Sequence, residues 1–126
     1  MAGVAVCDTL VEFGVKADIK WVNDLLVDER KICGILAETV DTDVGLAVVV
    51  GIGINLTSRN FPDEIADSAT SIESVTGKCF TASEVAEPLT RYIRYFYDIL
   101  VSPDGPGEII TNWRRRSSFY SGKPVR

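Results

Sequence analysis

Apolar residues recur along this chain with two different periods. Over residues 1–14 they follow a helical spacing that ends at a glycine, so we predict an amphipathic helix. Residues 17–23 and 25–40 alternate apolar with polar positions and are rich in β-branched side chains, a pattern that predicts antiparallel strands joined by a charged turn at 27–31. The run at 46–54 is apolar on both faces, which predicts a central strand covered on both sides.

The second half of the chain is predicted to consist mainly of loop and helix. Residues 57–78 are rich in Ser, Thr, Asn, Asp and Pro and predict a loop with short helical turns. Residues 81–101 carry one broad apolar face at helical spacing, and residues 108–120 predict a short terminal helix. The final segment, 121–126, has the character of the start of another strand.

Composition and charge narrow the class of protein. The chain has 126 residues, 46% of them hydrophobic and 25% charged, which predicts one core of a soluble domain. The net charge of −5 argues against general nucleic-acid binding, although a few cations and backbone N–H groups suffice for a small nucleotide. The longest uncharged run, from Val44, has too few apolar residues for a membrane-spanning helix.

Two residue types limit the chemistry that is available. Cys7, Cys33 and Cys79 are odd in number and far apart, which argues against a disulfide framework and indicates a reducing, cytoplasmic setting. The sequence contains no histidine, which removes Ser-His-Asp and Cys-His catalysis and the usual ligands of a catalytic zinc. Catalysis would therefore depend on Lys, Arg, Asp, Glu, Asn or backbone groups.

Several polar residues lie close to the apolar strand edges. Asn and Asp at strand ends are usually turn formers, and a lysine before a strand is usually solvated. The alternative is that these groups converge on one edge of the sheet, where a cation and amide donors could hold a carboxylate against a phosphate. The residues concerned are Lys20, Asn23, Asp24, Lys31 and Asn55.

The glycines of "GIGINL" do not form a dinucleotide-binding loop. The third glycine of that pattern is absent, because Leu56 stands in its place, and a loop rather than a helix is predicted after it. Gly51 and Gly53 have two remaining interpretations. Either they relieve close packing between sheet and helix, or they let a flat ligand approach the strand backbone.

The stretch "KWVNDLLVDERKICGILAE", residues 20–38, closely resembles the "KWPND … KxxGILxE" signature of biotin protein ligases, which attach biotin to carboxylase carrier domains. Three later segments resemble further parts of that family in the same order. They are "VVVGIGINLT" at 48–57, "SATSIESVTGK" at 68–78 and "NWRRRSSFYSGKPVR" at 112–126.

The resemblance implies a fold and an activity. The fold is the class II synthetase-like biotin/lipoate ligase fold, of class α+β, with a mixed, largely antiparallel sheet covered by helices. The activity is ATP-dependent conversion of biotin to biotinyl-5′-AMP, followed by transfer to a lysine of a biotin carboxyl carrier domain. The implied small-molecule partners are biotin and ATP. From the charge and the short apolar runs we expect no nucleic acid to bind through this chain and no membrane partner, and the possibility of a homodimer stays open.

The resemblance also implies roles for individual residues. Lys31 matches the family's essential lysine, the implied catalytic residue, which contacts the biotin carboxylate and the α-phosphate. Asp24 is the implied ligand of Mg²⁺. The implied biotin-binding residues are Lys31, Gly34, Gly51 and Ile54, and the implied ATP-binding or adenylate-binding residues are Lys20, Asn23, Asp24 and Asn55.

The chain also departs from the family pattern. Val22 stands where the family usually has proline, and nothing in the chain matches the family's N-terminal "GRGRxGR" loop. We therefore expect residues 1–117 to be the C-terminal half of a biotin ligase catalytic domain and residues 118–126 to begin a truncated small C-terminal β-domain. Such a fragment is expected to be inactive or impaired alone. The alternatives are a non-catalytic folded core that self-associates through sheet edges, and a lipoate ligase-like enzyme.

Overall fold

The computed structural model describes residues 1–122 and Pro124. Its strands are β1 (Asp18–Lys20), β2 (Asp24–Val27), β3 (Arg30–Thr42) and β4 (Gly45–Ile54). Its helices are α1 (Ala2–Glu12), α2 (Ile72–Thr76), α3 (Ala82–Leu100) and α4 (Gly105–Arg115), followed by a 3₁₀ helix at Ser118–Ser121. The strand predicted at 121–126 falls partly on Lys123, Val125 and Arg126, which lie outside the described residues.

The four strands form one antiparallel sheet in the order β1-β2-β3-β4. Asp28 and Glu29 form the tight turn between β2 and β3, both with positive φ, as a two-residue hairpin turn of this hand requires. The single strand predicted at 17–23 is wrong. Instead the chain turns between Lys20 and Asp24, and β2 pairs back onto β1. The register shows this, because Lys20 and Asp24 lie directly opposite each other.

The core lies between α1, the neighbouring strands and α3. Val6 and Leu10 of α1 are fully buried, as are Leu25 of β2 and Ile32 of β3, and Phe96 from α3 is 2% exposed. Helices and an antiparallel sheet packed in this way confirm the predicted α+β class. Among the described residues, no helix combines the length and the apolar character that crossing a bilayer requires.

Polar contacts tie the two long C-terminal helices to α1. Glu12, at the end of α1, accepts hydrogen bonds from Arg91 at 3.2 Å and from Tyr92 at 2.8 Å, which lower the pKa of its carboxyl group. Asp8 accepts two hydrogen bonds from Arg116, at 2.8 and 3.0 Å. These contacts fix α3 and the end of α4 against α1.

The predicted central position of β4 is wrong. β4 lies at the edge of the sheet, and its apolar side chains are largely exposed: Leu46 by 68%, Val48 by 60% and Val49 by 57%. α1 packs against β1 and β2, at the opposite end of the strand order. The helices therefore cover one end of the sheet and leave the far part of the β3–β4 ribbon, from Leu36 to Val50, largely exposed.

Leu25 is fully buried and anchors β2, the strand that carries Asp24. We therefore expect its side chain to contribute strongly to stability. Leu25→Ala should lower the free energy of unfolding by about 2–5 kcal/mol, measured by urea denaturation. The matched control is Leu46→Ala, the same chemical change at an exposed position, which should stay within about 0.5 kcal/mol of the parent chain. Equal losses at the two positions would contradict this packing.

The three cysteines are expected to react in a definite order. Burial raises the pKa of the Cys7 and Cys33 thiols to about 12, so both stay protonated near neutral pH. Cys79 is exposed, and its hydrogen bond to the Glu73 carboxylate raises its pKa. Iodoacetamide at about pH 8 should therefore modify Cys79 first, as followed by intact mass.

The variant Glu73→Gln tests whether the Glu73 carboxylate is the cause of the raised pKa of the Cys79 thiol. Removing the negative charge lowers the pKa of the thiol, so this variant should react faster at Cys79 while Cys7 and Cys33 remain protected. Early modification of either buried cysteine in the folded chain would show that the core is more open than described.

Candidate functional site

A cleft of about 480 Å³ lies across the middle of the sheet. It draws residues from the turn before β2 and from β2, β3 and β4. Its lining consists of Asn23, Asp24, Lys31, Gly34, Ile35, Leu36, Gly51, Ile52 and Gly53. Five of the sequence-predicted site residues are among them, namely Asn23, Asp24, Lys31, Gly34 and Gly51.

The register between neighbouring strands determines which residues form the floor of this cleft. Lys20 on β1 is opposite Asp24 on β2, Asp24 is opposite Gly34 on β3, and Gly34 is opposite Gly53 on β4. Directly opposed residues of an antiparallel pair share one face, so these four residues form a row across the whole sheet. The row changes from charged side chains on the first two strands to bare backbone on the last two.

The Lys31 ammonium lies within this polar end of the cleft. Its Nζ is 2.8 Å from Oδ1 of Asp24, and the two side chains are 48% and 32% exposed. A register irregularity between Leu25 and Leu26 accompanies this arrangement on β2. An ion pair with this exposure contributes up to about 1 kcal/mol to the free energy of unfolding. Its main effect is therefore on the position of the Lys31 ammonium and not on the stability of the fold.

The backbone of Lys31 is fixed from the other side by the segment 68–70. Lys31 donates its N–H to the Ser68 carbonyl at 2.8 Å and accepts the Thr70 N–H at 2.9 Å. Asn55 adds a third tie, because its side-chain nitrogen lies 3.3 Å from the Lys31 carbonyl and 3.0 Å from the Thr70 carbonyl. The start of β3 is therefore held between β2 and a loop that follows β4.

Asn23 is held against β3 by two hydrogen bonds. Its side-chain nitrogen donates to the Ile35 carbonyl at 2.5 Å, and its own carbonyl accepts the Ile35 N–H at 2.9 Å. The turn that contains it includes a cis peptide bond between Trp21 and Val22. These bonds place Asn23 at the cleft beside Asp24.

Three predicted site residues do not line the cleft. Lys20 is next to Asp24 in register, but on the outermost strand. Asn55 uses its amide in the backbone contacts described above, and Ile54 is half-buried against the hydrophobic core. The functional roles of these three residues remain predictions.

Sequence reasoning missed Ile35, Leu36 and Ile52 as lining residues. The missing information was the β3–β4 register, which sets Leu36 opposite Gly51 and Ile35 opposite Ile52. Alternation within each strand was visible in the sequence, but the alignment of one strand with the other was not.

The described residues contain no group of three or more Cys, Asp or Glu side chains placed to hold a metal. Asp24 is the one carboxylate among the residues that line the cleft. A single carboxylate fits Mg²⁺, which keeps several of its waters and commonly takes few protein ligands.

A larger cavity, of about 680 Å³, contains none of the predicted site residues. It lies between α1, the β2–β3 turn and the residues that follow α4, and includes the Asp8–Arg116 ion pair in its wall. Size alone therefore does not identify the candidate site.

Comparisons with a family model and with individual relatives point to the same kind of protein. Residues 1–55 match the model of the biotin/lipoate A/B protein ligase family. The chain is 42% identical over 82 residues to the bifunctional ligase/repressor BirA of Bacillus subtilis, covering 62% of this chain and 25% of that protein. It is 31% identical over 109 residues to the biotin–[acetyl-CoA-carboxylase] ligase of Paracoccus denitrificans, covering 86% of this chain and 40% of the relative.

A solved structure agrees with these relatives. The biotin protein ligase from Aquifex aeolicus in complex with biotin and ATP is 34% identical, with a TM-score of 0.65, over 75% of this chain and 39% of that one. The chain thus spans well under half the length of each of these proteins. The chain is therefore similar in both sequence and fold to biotin protein ligases, and these likenesses support the biotin protein ligase family.

Proposed function

We propose that this chain supplies the lysine-bearing part of a biotin ligase active site. The reaction is the activation of biotin by ATP to biotinyl-5′-AMP with release of pyrophosphate. A lysine of a biotin carboxyl carrier domain then attacks the acyl carbon of the mixed anhydride, which forms an amide bond and releases AMP. The observation that carries the proposal is the Lys31 ammonium, held beside Asp24 at the polar end of a cleft with a glycine floor.

The first step needs a fixed positive charge. The biotin carboxylate and the α-phosphate are both anionic and repel each other as they approach. An ammonium between them lowers that repulsion, and a fixed position for it keeps the reacting oxygen and phosphorus in line. Lys31 has the required charge, and its backbone hydrogen bonds to Ser68 and Thr70 supply the fixed position.

The glycine floor suits the biotin-binding role proposed for Gly34 and Gly51. Bare backbone lets a flat ring system approach the strands closely. Leu36, which also lines the cleft and lies opposite Gly51, adds apolar contact surface beside that floor. Ile54, also proposed as a biotin contact, packs against the core and would act by supporting the strand from behind.

The nucleotide is proposed to lie toward Asn23 and Asp24. Lys20 adds a further cation on the same face as Asp24, and Asn55 follows at the end of β4. Mg²⁺ would be held through Asp24, where it would neutralise phosphate charge. Asp24 is paired with Lys31 in the structure, so the carboxylate and the ammonium are already held at the point where phosphate would bind.

We propose the domain boundary at residue 117. Residues 1–117 correspond to the C-terminal half of the catalytic domain, and residues 118–126 begin a small β-domain. The aquifex relative, which binds biotin and ATP, is more than twice as long as the stretch aligned with this chain. Activity of the isolated chain is therefore proposed to be absent or impaired.

The exposed far part of the β3–β4 ribbon favours a second candidate, in which this chain alone is a non-catalytic folded core. Edge strands with unpaired backbone groups and exposed valines are a template for pairing with another chain. A homodimer formed in this way is the corresponding proposal for the assembly. A lipoate ligase-like activity is the third candidate, since the matching family model includes lipoate ligases.

Calorimetry with biotin, lipoate and biotinyl-5′-AMP separates these candidates. Biotinyl-5′-AMP should bind most tightly, because it engages both the glycine floor and the polar end of the cleft. Lys31→Ala should weaken that binding by about 10-fold to 100-fold, the range for a lost charge-assisted hydrogen bond.

Lys78→Ala is the matched control, because it removes the same charge from an exposed lysine outside the cleft. It should leave the affinity for biotinyl-5′-AMP unchanged. Absence of binding to any of the three compounds would favour the non-catalytic core, and preference for lipoate would favour the third candidate. Equal effects of the two lysine variants would remove Lys31 from the proposed site.

A further inference from the structure

The Lys31 side chain passes directly over Gly34. An ideal Cβ built on Gly34 would lie 3.0 Å from Cε and 3.1 Å from Nζ of Lys31. Non-bonded carbon atoms are best separated by about 3.5–4.0 Å, so both contacts would be too close. The space that any larger residue would need at position 34 is therefore taken by the end of the lysine.

The backbone conformation does not account for a glycine at this position. Gly34 lies inside β3 and is not among the glycines with positive φ, which are Gly14, Gly45, Gly77 and Gly122. Any L-residue could adopt its extended conformation. What distinguishes position 34 is therefore the space above it, where the end of the Lys31 side chain would have to shift to make room for a Cβ.

The other two glycines of the cleft floor differ from Gly34. A Cβ on Gly51 would meet only the Leu36 carbonyl oxygen at 3.8 Å, and one on Gly53 would meet only the Gly34 carbonyl oxygen at 3.9 Å. Both are ordinary contacts. A methyl group at either position would enter the cleft without touching Lys31. Of the three glycines, Gly34 is therefore the one at which an added side chain would collide with the lysine.

We propose that Gly34 is a positioning residue for Lys31. Its missing side chain leaves a path across β3 along which the ammonium reaches Asp24 on β2. This inference rests on the proposed function, in which that ammonium lies between the carboxylate and the phosphate. A methyl group at position 34 pushes Cε and Nζ away from the sheet and away from Asp24, and small displacements of this kind misplace the charge that the reaction requires.

The test compares Gly34→Ala with Gly53→Ala, which adds the same methyl group at the register partner of Gly34. Each folded chain is pulsed with acetic anhydride, and acetylation of Lys31 is measured by peptide mass spectrometry relative to Lys78. Gly34→Ala should raise the Lys31 rate about twofold to fivefold, as expected for loss of a partly exposed ion pair that shields the nitrogen. Gly53→Ala should leave it unchanged.

A double-mutant cycle with Asp24→Asn identifies the cause. Asp24→Asn alone should raise the Lys31 rate to a similar extent, and Gly34→Ala should add nothing further in that background. Equal effects of the two glycine variants, or additive effects of Gly34→Ala and Asp24→Asn, would overturn the proposal.

A measurement on the unmodified chain covers the case in which Gly34→Ala does not fold. One Hα of Gly34 points in the direction that a Cβ would take, toward Cε of Lys31. A nuclear Overhauser cross-peak between these protons is expected, and its absence from an otherwise assigned spectrum would overturn the proposal. Neither readout requires biotin, so failure here is distinguishable from failure of the proposed activity in calorimetry.

Discussion

The ion pair between Lys31 and Asp24 is the contact on which the candidate site depends. It joins two neighbouring strands at 2.8 Å while leaving both side chains partly open to solvent. A fully buried pair would be costly to desolvate and hard to rearrange around a substrate. A fully exposed pair would not hold the ammonium in place. The intermediate exposure keeps a cation available to an anionic ligand and still limits where that cation can be.

The rest of the described chain fixes the two backbones that carry this pair. On β2, Leu25 follows Asp24 and is fully buried, so the strand is anchored by its core face while its other face carries the carboxylate. On β3, Ile32 and Cys33 are buried immediately after Lys31, and the 68–70 segment holds the lysine backbone by two hydrogen bonds. Placement of one ammonium thus draws on the hydrophobic core, the strand register and a distant loop.

The local pattern of the sequence was sufficient for α1 and α3, but not for the sheet or for the terminal helix, which was predicted at 108–120 and is α4 at Gly105–Arg115. Helical periodicity located α1 and α3, because each buries one continuous face against a neighbour. The apolar run of β4 indicated a covered strand, yet Leu46 and Val48 are exposed, since periodicity reports what residues can bury and not what is present to cover them. Convergence of Asn23, Asp24 and Lys31 was predictable from motif resemblance. The passage of Lys31 over Gly34 was not, because it depends on side-chain direction and strand register.

The proposed site of the reacting groups is the glycine-floored cleft and not the larger cavity beside the Asp8–Arg116 ion pair. A crystal structure of the chain with biotinyl-5′-AMP tests this most directly. We expect the acyl phosphate to contact Nζ of Lys31 and the ring system to lie over Gly34 and Gly51. A ligand bound in the larger cavity, or a Lys31 ammonium directed into solvent away from the acyl phosphate, would contradict it.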